Sequence, residues 1–568
     1  MLIGFAGMAR VCAVAAVTLT SVARAQAKPA IAIDRIEPGR WRATYTFIDP
    51  VTSLRFVRGA ANHRERVWTI ATSGYEWGSD GDRVVLRLAD GARPASTIVV
   101  EFPQLTDPLP KEYELFQPFS DGAVALYTGH FYARPTGPSY ADSAPVLQTV
   151  RLTPPPGTHA VVRGRVVSGN VTFADSIGDG TYIYMGTARP IETPHLVAIV
   201  DPGMPAWLRG MFEQRLPELF AVYSEEFGAS LPWKPVVLYS FHDTATTGYS
   251  SGGGTLTGLI NMTLTGVAWR APSADAQVQA FYLLAHEAAH LWNGQLVESQ
   301  GGPGSWMHEG SADAIANDML LRFGIIDRDQ WRRRRETAIN QCATQVADVA
   351  IHSAAQRGMF RTFYDCGFVL ALWTEAVLRQ SAPDADLFSF WRDLVTAARA
   401  NGGRYDEDLY LRVMLDAGAP DSAGAAMRSF LGARSIDPAV RGLADAGLSV
   451  VPGEGKPPAA FQQGLVRQAV AHIMAAACSR ISFNFGDPGD PIETLAIPGC
   501  APFSTPLRVY ALEDFRLGDQ AVAAYDAVAA VCAAGGTIRV QGMRGETLAS
   551  VSCRRPLRAR PLWYRLGS

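Results

Sequence analysis

The chain has no marked excess of either charge and, after its first 25 residues, no long apolar run. Its 51 basic and 54 acidic residues give a net charge of −3, which argues against nucleic acid and anionic membranes as partners. No later apolar stretch approaches the roughly 18 to 20 residues that a transmembrane helix needs. The sequence also has no Cys-x-x-Cys pair, so neither a thiolate zinc site nor a redox motif is indicated. What remains is a globular composition, 48% hydrophobic and 18% charged.

Two further patterns carry no function of their own. No Lys-Ser/Thr pair follows the glycine-rich stretch Ser251–Thr255, so this stretch is not a phosphate-binding loop, and we expect it to form a flexible turn. The one basic run, Arg332–Arg335, follows Asp329 in a helical stretch and is typical of a solvated helix face. The sequence contains no internal repeat.

The first 25 residues have the pattern of a secretory signal. Arg10 supplies the positive charge, residues 11–22 form an apolar core, and an A-x-A cleavage site ends at Ala25. We therefore expect a periplasmic or secreted protein, whose net charge becomes −5 once Arg10 and Arg24 are removed from a chain of charge −3. No lipobox precedes Cys12, so a lipid anchor is not indicated.

Six cysteines follow the predicted cleavage site, and an even number in an exported chain indicates disulfides. The sequence leaves their connectivity open. Neighbour pairing is the simplest arrangement: Cys342 with Cys366, Cys478 with Cys500, and Cys532 with Cys553.

The most specific pattern is an H-E-x-x-H motif that begins at His286, ends at His290 and is followed after 18 residues by Glu309. On a helix, residues four apart share one face, so the two imidazoles can bind one ion. Zinc with three protein ligands keeps a fourth position for water and lowers the pKa of that water to about 7. Glu287 can then act as the general base. The sequence therefore predicts one Zn²⁺ bound by His286, His290 and Glu309.

The residues around the motif favour this interpretation. The apolar run 278–285 contains no proline or glycine and predicts a buried helix, with Ser273 or Asp275 at its N-terminus. Residues 305–314 predict the start of a second helix, which carries Glu309. A motif with two free positions also arises by chance on exposed helices, but the apolar context and the downstream glutamate favour a metal site.

These residues resemble the gluzincin metallopeptidases, specifically the alanyl/leucyl aminopeptidase family. Residues His290–Val297 are similar to that family's H-x-W-F-G-N-L-V, and Trp306–Gly310 is similar to its W-L-N-E-G. His290–Asn293 also resembles the glycyl aminopeptidases that carry a C-terminal PDZ domain. The resemblance covers residues 205 to 450 and implies a thermolysin-like zinc peptidase.

The resemblance implies roles for two further residues. Tyr364 stands in a Y-x-x-G segment, where the family places a tyrosine that stabilises the tetrahedral oxyanion. Asp313 lies one helical turn after Glu309, where thermolysin-like enzymes place a carboxylate that orients a zinc-bound histidine. The alternatives are a tyrosine that caps a core helix and an aspartate favoured by the helix dipole.

One departure from the family concerns the substrate. Its aminopeptidases carry G-A-M-E-N, or G-G-L-E-H in the glycyl group, shortly before the motif, and the glutamate there binds the substrate's free amino group. The equivalent here is predicted to be Gly258, Leu259, Ile260 and Asn261, with Ile260 at the glutamate position. Isoleucine cannot bind an ammonium group, so exo- and endopeptidase activity both stay open. We expect this strand to bind the substrate backbone as an added strand.

We expect a multidomain α+β protein. Alternating strand-like runs predict an N-terminal β-sandwich over residues 26–200. A thermolysin-like zinc peptidase domain with an all-α half follows over 201–450. A Pro/Gly-rich linker over 451–460 leads to a small α/β C-terminal domain, 461–568, whose βαββ order is compatible with a degenerate PDZ-like module.

The predicted function is that of an exported zinc metallopeptidase, aminopeptidase-like, acting on a peptide or protein substrate. Two alternatives stay open: a non-catalytic binding protein on the same fold, and a zinc hydrolase of a non-peptide substrate. The loss of the glutamate at Ile260 favours the binding protein. Glu287 and Tyr364 speak against it, because a scaffold needs neither residue. The sequence does not predict side-chain preference, natural substrate or oligomeric state.

Overall fold

The computed structural model describes residues 30–567 apart from 59–62, 82, 107–108, 110–111, 141–143, 176–177, 243, 246–247, 479–480 and 485–490. The predicted signal, residues 1–25, lies outside the described residues. Within the described residues, every helix is too short or too polar to cross a membrane. The chain forms two compact units. The first consists of residues up to 116, 127–156 and 169–180, and the second of residues 117–126, 157–168 and 181–568.

Among its described residues, the first unit contains two β-sheets. The six-stranded sheet has the order Val171–Ala174, Thr149–Thr153, Ala30–Glu37, Arg40–Val51, Ala95–Pro103 and Thr69–Ile70. The four-stranded sheet has the order Ala133–Thr136, Ser53–Phe56, Arg83–Leu88 and Tyr75–Asp80. Because side chains alternate along a strand, the first half of Arg40–Val51 buries every second residue. The rings of Tyr45 and Phe56, one from each sheet, lie 6.3 Å apart in a shared core.

The second unit starts with residues that precede the predicted boundary at residue 200. A five-stranded sheet made largely from this unit has the order Arg165–Val167, His159–Val162, Tyr182–Gly186, Val124–Tyr127 and Phe116–Pro118. The unit that contains the zinc motif therefore also includes residues 117–126, 157–168 and 181–200. The two compact units are thus not divided by a single boundary in the sequence.

A mixed five-stranded sheet lies beside the zinc motif. Its order is Ile191–Glu192, Val197–Val200, Val236–His242, Leu259–Thr265 and Ser250–Leu256. The three central strands are parallel, and a strand buried on both faces is apolar along nearly its whole length, as Val236–His242 is. We call Ser250–Leu256 the edge strand. It pairs antiparallel with Leu259–Thr265, so the flexible turn expected at Ser251–Thr255 was wrong.

The rest of the unit is mainly helical. Its longer helices are Ala206–Glu226, Ala274–His290, Trp306–Arg322, Arg328–Asp348, Arg361–Ser381, Leu387–Ala400, Glu407–Asp416, Asp421–Gly432, Asp437–Asp445, Ala459–Cys478 and Ala521–Ala533. Three of them build the site. We call Ala274–His290 the motif helix, Trp306–Arg322 the glutamate helix and Arg361–Ser381 the tyrosine helix. Their buried side chains belong to one hydrophobic core.

The C-terminal region contains the expected α/β elements. Its strands are Phe483–Asn484, Ile492–Thr494, Leu507–Val509, Ala511–Leu512, Phe515–Arg516, Thr537–Gln541 and Thr547–Ser552. The predicted linker begins inside a strand, because Val450–Pro452 pairs antiparallel with Tyr564–Leu566 near the end of the chain. The neighbour pairing of cysteines is confirmed: Cys342–Cys366, Cys478–Cys500 and Cys532–Cys553 are disulfide-bonded.

Candidate metal centre

The motif helix holds both histidines on one face. Its N-terminus is capped by Ser273, whose Oγ accepts a hydrogen bond from the Ala276 amide at 3.0 Å, as the sequence predicted. His286 and His290 lie one turn apart near its C-terminal end, and the chain then widens into a π-helical turn over Leu291–Leu296. Such wide turns are rare and are frequent at functional sites.

Three donor atoms converge at one point between the motif and glutamate helices. The two Nε2 atoms of His286 and His290 are 3.0 Å apart, and Glu309 Oε2 lies 3.4 Å from the first and 3.2 Å from the second. Zinc bonds of about 2.0–2.1 Å in a tetrahedron place ligand atoms about 3.3 Å apart. The spacing of these three atoms therefore matches the ligand set that zinc requires.

The hydrogen bonds around the histidines show why a cation belongs here. Asn293 Nδ2 donates to the His308 carbonyl at 2.9 Å, so Asn293 Oδ1 accepts from His290 Nδ1 at 3.1 Å. The Nδ1 of His286 lies 2.7 Å from a carboxylate oxygen of Asp313. When both rings are neutral and carry their proton on Nδ1, both Nε2 atoms present lone pairs to each other and to Glu309. Three lone pairs at this distance repel one another unless a cation lies between them.

Interactions among the charged groups of the centre oppose the effect of burial on their pKa values. Burial alone raises the pKa of the Glu309 carboxyl, but its close contacts with His286, His290 and His308 outweigh the effect of burial and hold that pKa below its usual range. Burial also disfavours a charge on His286, yet its contacts with Asp313 and Glu309 raise its pKa to about 10. The carboxylates thus create a strongly negative site, and a metal ion would replace the proton on His286.

Two glycines bring the tyrosine to the centre. The glutamate and tyrosine helices touch at Gly310 and Gly367, where a Cβ added to Gly310 would lie 2.0 Å from the Gly367 carbonyl carbon. A larger residue at either position would force the helices apart. This contact places the Tyr364 ring stacked near His286, with ring centroids 5.8 Å apart. Burial raises the pKa of the Tyr364 phenol and the Glu309 carboxylate adds to this, so the phenol stays a proton donor.

Glu287 is held by the edge strand. Thr255 Oγ1 donates a hydrogen bond of 2.6 Å to Glu287 Oε2. This hydrogen bond connects Glu287, the general base predicted from the motif, to the edge strand. Glu287 is not one of the three residues whose donor atoms converge.

The substrate-binding role predicted for the strand at residues 258–261 needs correction. Leu259, Ile260 and Asn261 lie in a strand that is paired on both sides, with Val236–His242 and with the edge strand, so it has no free edge for a substrate. Ile260 is fully buried, and Gly258 lies in the turn before the strand. Ile260 therefore does not occupy the place of an amine-binding glutamate. The edge strand, with sequence SSGGGTL, has no acidic side chain either.

Four contributors were missed from the sequence. Thr255, Asn293, His308 and Tyr282 contact respectively Glu287, His290, Glu309 and Asp313. His308 stands where the pattern W-L-N-E-G has asparagine, and Asn293 stands where the alanyl/leucyl pattern has phenylalanine, although it matches the glycyl group. These two polar residues were a usable signal. Tyr282 lies one turn before His286 on the same helix face, which is a weaker one. Thr255 gave no signal, because its role depends on strand pairing.

No family model matches the chain, and no curated protein matches it. Solved structures do match. The fold is similar to an aminopeptidase N family protein from Idiomarina loihiensis, with a TM-score of 0.60 and 12% identity over 95% of this chain and 98% of that chain. An M1 zinc metallopeptidase from Deinococcus radiodurans matches with a TM-score of 0.43 and 16% identity over 72% of this chain and 94% of that chain. The multidomain α+β fold expected from the resemblance is thus confirmed by the first comparison.

Proposed function

We propose that this protein is a zinc-dependent peptidase. The observation that carries the proposal is the convergence of His286, His290 and Glu309 on one point, with an uncoordinated carboxylate, Glu287, beside them. A tetrahedral ligand set with three protein groups leaves a fourth position open, which is typical of catalytic rather than structural zinc. A scaffold protein would need no such arrangement.

When bound, zinc would polarise the substrate carbonyl and make a water molecule acidic. Glu287 would take the proton from that water and return it to the leaving amine. Thr255 fixes the Glu287 carboxylate by its hydrogen bond and limits the rotamers that the base can adopt. The Tyr364 phenol would donate a hydrogen bond to the oxyanion as its charge develops.

The substrate would bind along the edge strand. Its outer edge is not paired with another strand of the described residues, and Thr255 places this strand next to Glu287. An extended peptide can add to such an edge through main-chain hydrogen bonds. Because the edge strand has no carboxylate, we propose that cleavage does not require binding of a free amino group by this strand. Matched peptides with free and acetylated N-termini test this point.

Export is part of the proposal. Three disulfides are typical of an oxidising compartment. The signal predicted for residues 1–25 supplies the route. N-terminal sequencing of protein recovered from the periplasm or medium would give residue 26 as the first residue.

The direct test combines metal analysis with peptide cleavage. The wild type should contain one zinc per chain and cut a mixed peptide library, and a chelator should abolish cleavage. Glu287→Gln should keep the zinc and lose turnover, whereas the exposed Glu298→Gln should change neither. Zinc binding without cleavage of any peptide would reject the peptidase proposal. Persistent activity of Glu287→Gln would remove Glu287 from the mechanism.

A further inference from the structure

A second recess lies outside the metal centre, between the helical half and the C-terminal region. Its volume is about 710 Å³, within the range of about 300–1,000 Å³ of ligand pockets. Its walls come from Arg328–Asp348, the start of the tyrosine helix, Ala459–Cys478 and residues 555–558. The packing beneath it is close, because a Cβ on Gly464 would lie 2.6 Å from Thr344 Oγ1.

The lining is strongly basic in a chain that is slightly acidic. Asp348 is the single carboxylate among the lining residues. The basic lining residues are six arginines and one histidine: Arg357, Arg361, Arg434, Arg467, Arg555, Arg558 and His472. The whole chain has 54 acidic and 51 basic residues, so this concentration does not reflect composition. Recesses lined by one sign of charge focus the field and concentrate ions of the opposite sign.

Several of these charges have no ion-pair partner among the described residues. Arg361 pairs with Asp365 at 3.1 Å, so it is committed to the fold. Arg357, Arg555 and Arg558 form no ion pair with any carboxylate of the described residues, and Arg434 donates to the Ala347 and Asp348 carbonyls instead. Burial lowers the pKa of Arg434, and repulsion from Arg558 and Arg357 lowers it further. An anion in the recess would relieve this repulsion.

The lining also contains apolar side chains. Met359, Phe360, Ile481 and Leu557 line it, and Phe360 and Ile481 are 57% and 48% exposed. A small inorganic anion would leave these side chains in water. A ligand that combines several carboxylates with apolar groups would contact both kinds of lining side chain. Guanidinium groups bind carboxylates through paired hydrogen bonds.

We propose that this recess binds an acidic peptide segment, one with two or more carboxylates interspersed with apolar side chains. The lining does not include the three metal-binding residues or Glu287, and the proposal does not depend on peptidase activity.

The test measures binding directly on the full-length, zinc-loaded Glu287→Gln protein, so that the probe is not cut. The probe is a fluorescein-labelled peptide of alternating glutamate and leucine, and its matched control replaces each glutamate by glutamine. Anisotropy should show at least tenfold tighter binding of the glutamate peptide. The affinity should fall as salt rises, because part of the attraction is screened.

Variants locate the binding site. Arg357→Gln/Arg558→Gln should weaken binding of the glutamate peptide about tenfold, because it removes two unpaired charges. Arg412→Gln/Arg441→Gln, an equal charge change at exposed helical positions, should weaken it less than twofold. Ala471→Trp keeps every charge and should also weaken binding by filling the recess. Thermal melting checks that each variant is folded.

Three results would overturn the proposal. They are equal affinity for the glutamate and glutamine peptides, unchanged binding in both folded recess variants, and displacement of the probe by inorganic phosphate or citrate at the probe's own concentration. The last result would identify a site for small anions and not for a peptide.

Discussion

The two sides of the metal centre are built in opposite ways. On the helical side, buried polar groups each fix one ligand: Asp313 contacts His286, and Asn293 contacts His290. On the other side, the edge strand contributes three glycines and the Thr255 hydroxyl. The helical side thus fixes the metal ligands, while the edge strand leaves main chain and space beside Glu287. Variants on the two sides should accordingly separate metal binding from substrate turnover.

The largest effect on turnover after loss of Glu287 itself is expected from Tyr364→Phe. It removes a hydrogen bond made to charge that develops in the transition state, so kcat should fall about 10²- to 10³-fold. Zinc content and KM should stay close to those of the wild type. Tyr510→Phe in the C-terminal region is the matched control and should leave kcat unchanged. A Tyr364→Phe enzyme with normal kcat would mean that the phenol only packs against His286.

Variants on the helical side should change the affinity for zinc. Asp313→Ala and Asn293→Ala each remove the group that fixes the ring of one histidine ligand, which typically costs 10- to 100-fold in affinity or activity. We expect the larger loss for Asp313→Ala, because this variant also removes a buried negative charge. Competition with a zinc chelator measures both. Wild-type zinc affinity in Asp313→Ala would reject its orienting role.

Variants of Thr255 in the edge strand should change turnover but not the affinity for zinc. Thr255→Val removes the hydrogen bond to the Glu287 carboxylate and should lower kcat about tenfold, the effect of one charge-assisted hydrogen bond. Zinc affinity should not change. Thr255→Ser keeps the hydroxyl and should restore most of the activity. A loss of zinc in Thr255→Val would contradict the separation of the two sides.

The smallest effects are expected from the edge-strand glycines. Gly253 has a φ of +130°, and an added Cβ would lie 1.9 Å from the Asn261 carbonyl oxygen, whereas a Cβ on Gly254 would meet open space. Gly253→Ala should therefore lower the free energy of unfolding by more than about 1 kcal/mol. Gly254→Ala should leave stability unchanged. Thermal melting of the two variants measures the difference, and equal melting temperatures would count against this strand geometry.

The same contrast explains what the sequence could predict. His286 and His290 were predictable because helical spacing puts them on one face, and Glu287 because it is the second residue of the H-E-x-x-H motif. Glu309 was predicted from its spacing after the motif and Tyr364 from the resemblance, since the approach of both residues depends on how three helices pack. The contact of Gly310 with Gly367 gives the physical reason for the glycines in both segments.

The edge strand, where the substrate is proposed to bind, could not be predicted in the same way. A strand that includes residues 258–261 was predicted, but strand order in a sheet is set by pairing across the chain and leaves no local pattern. Gly252–Gly254 therefore suggested a turn, and the edge strand was missed together with Thr255. The arginine-lined recess was missed for a similar reason, because its arginines come from distant segments and form no run.

X-ray absorption at the zinc edge tests the central claim most directly. The purified protein loaded with one equivalent of zinc should show two imidazole ligands and oxygen donors, with metal–ligand distances of about 2.0–2.1 Å. Glu309→Gln should change the oxygen contribution and weaken zinc binding. A spectrum with sulfur ligands, or a protein that stays metal-free in excess zinc, would contradict the account.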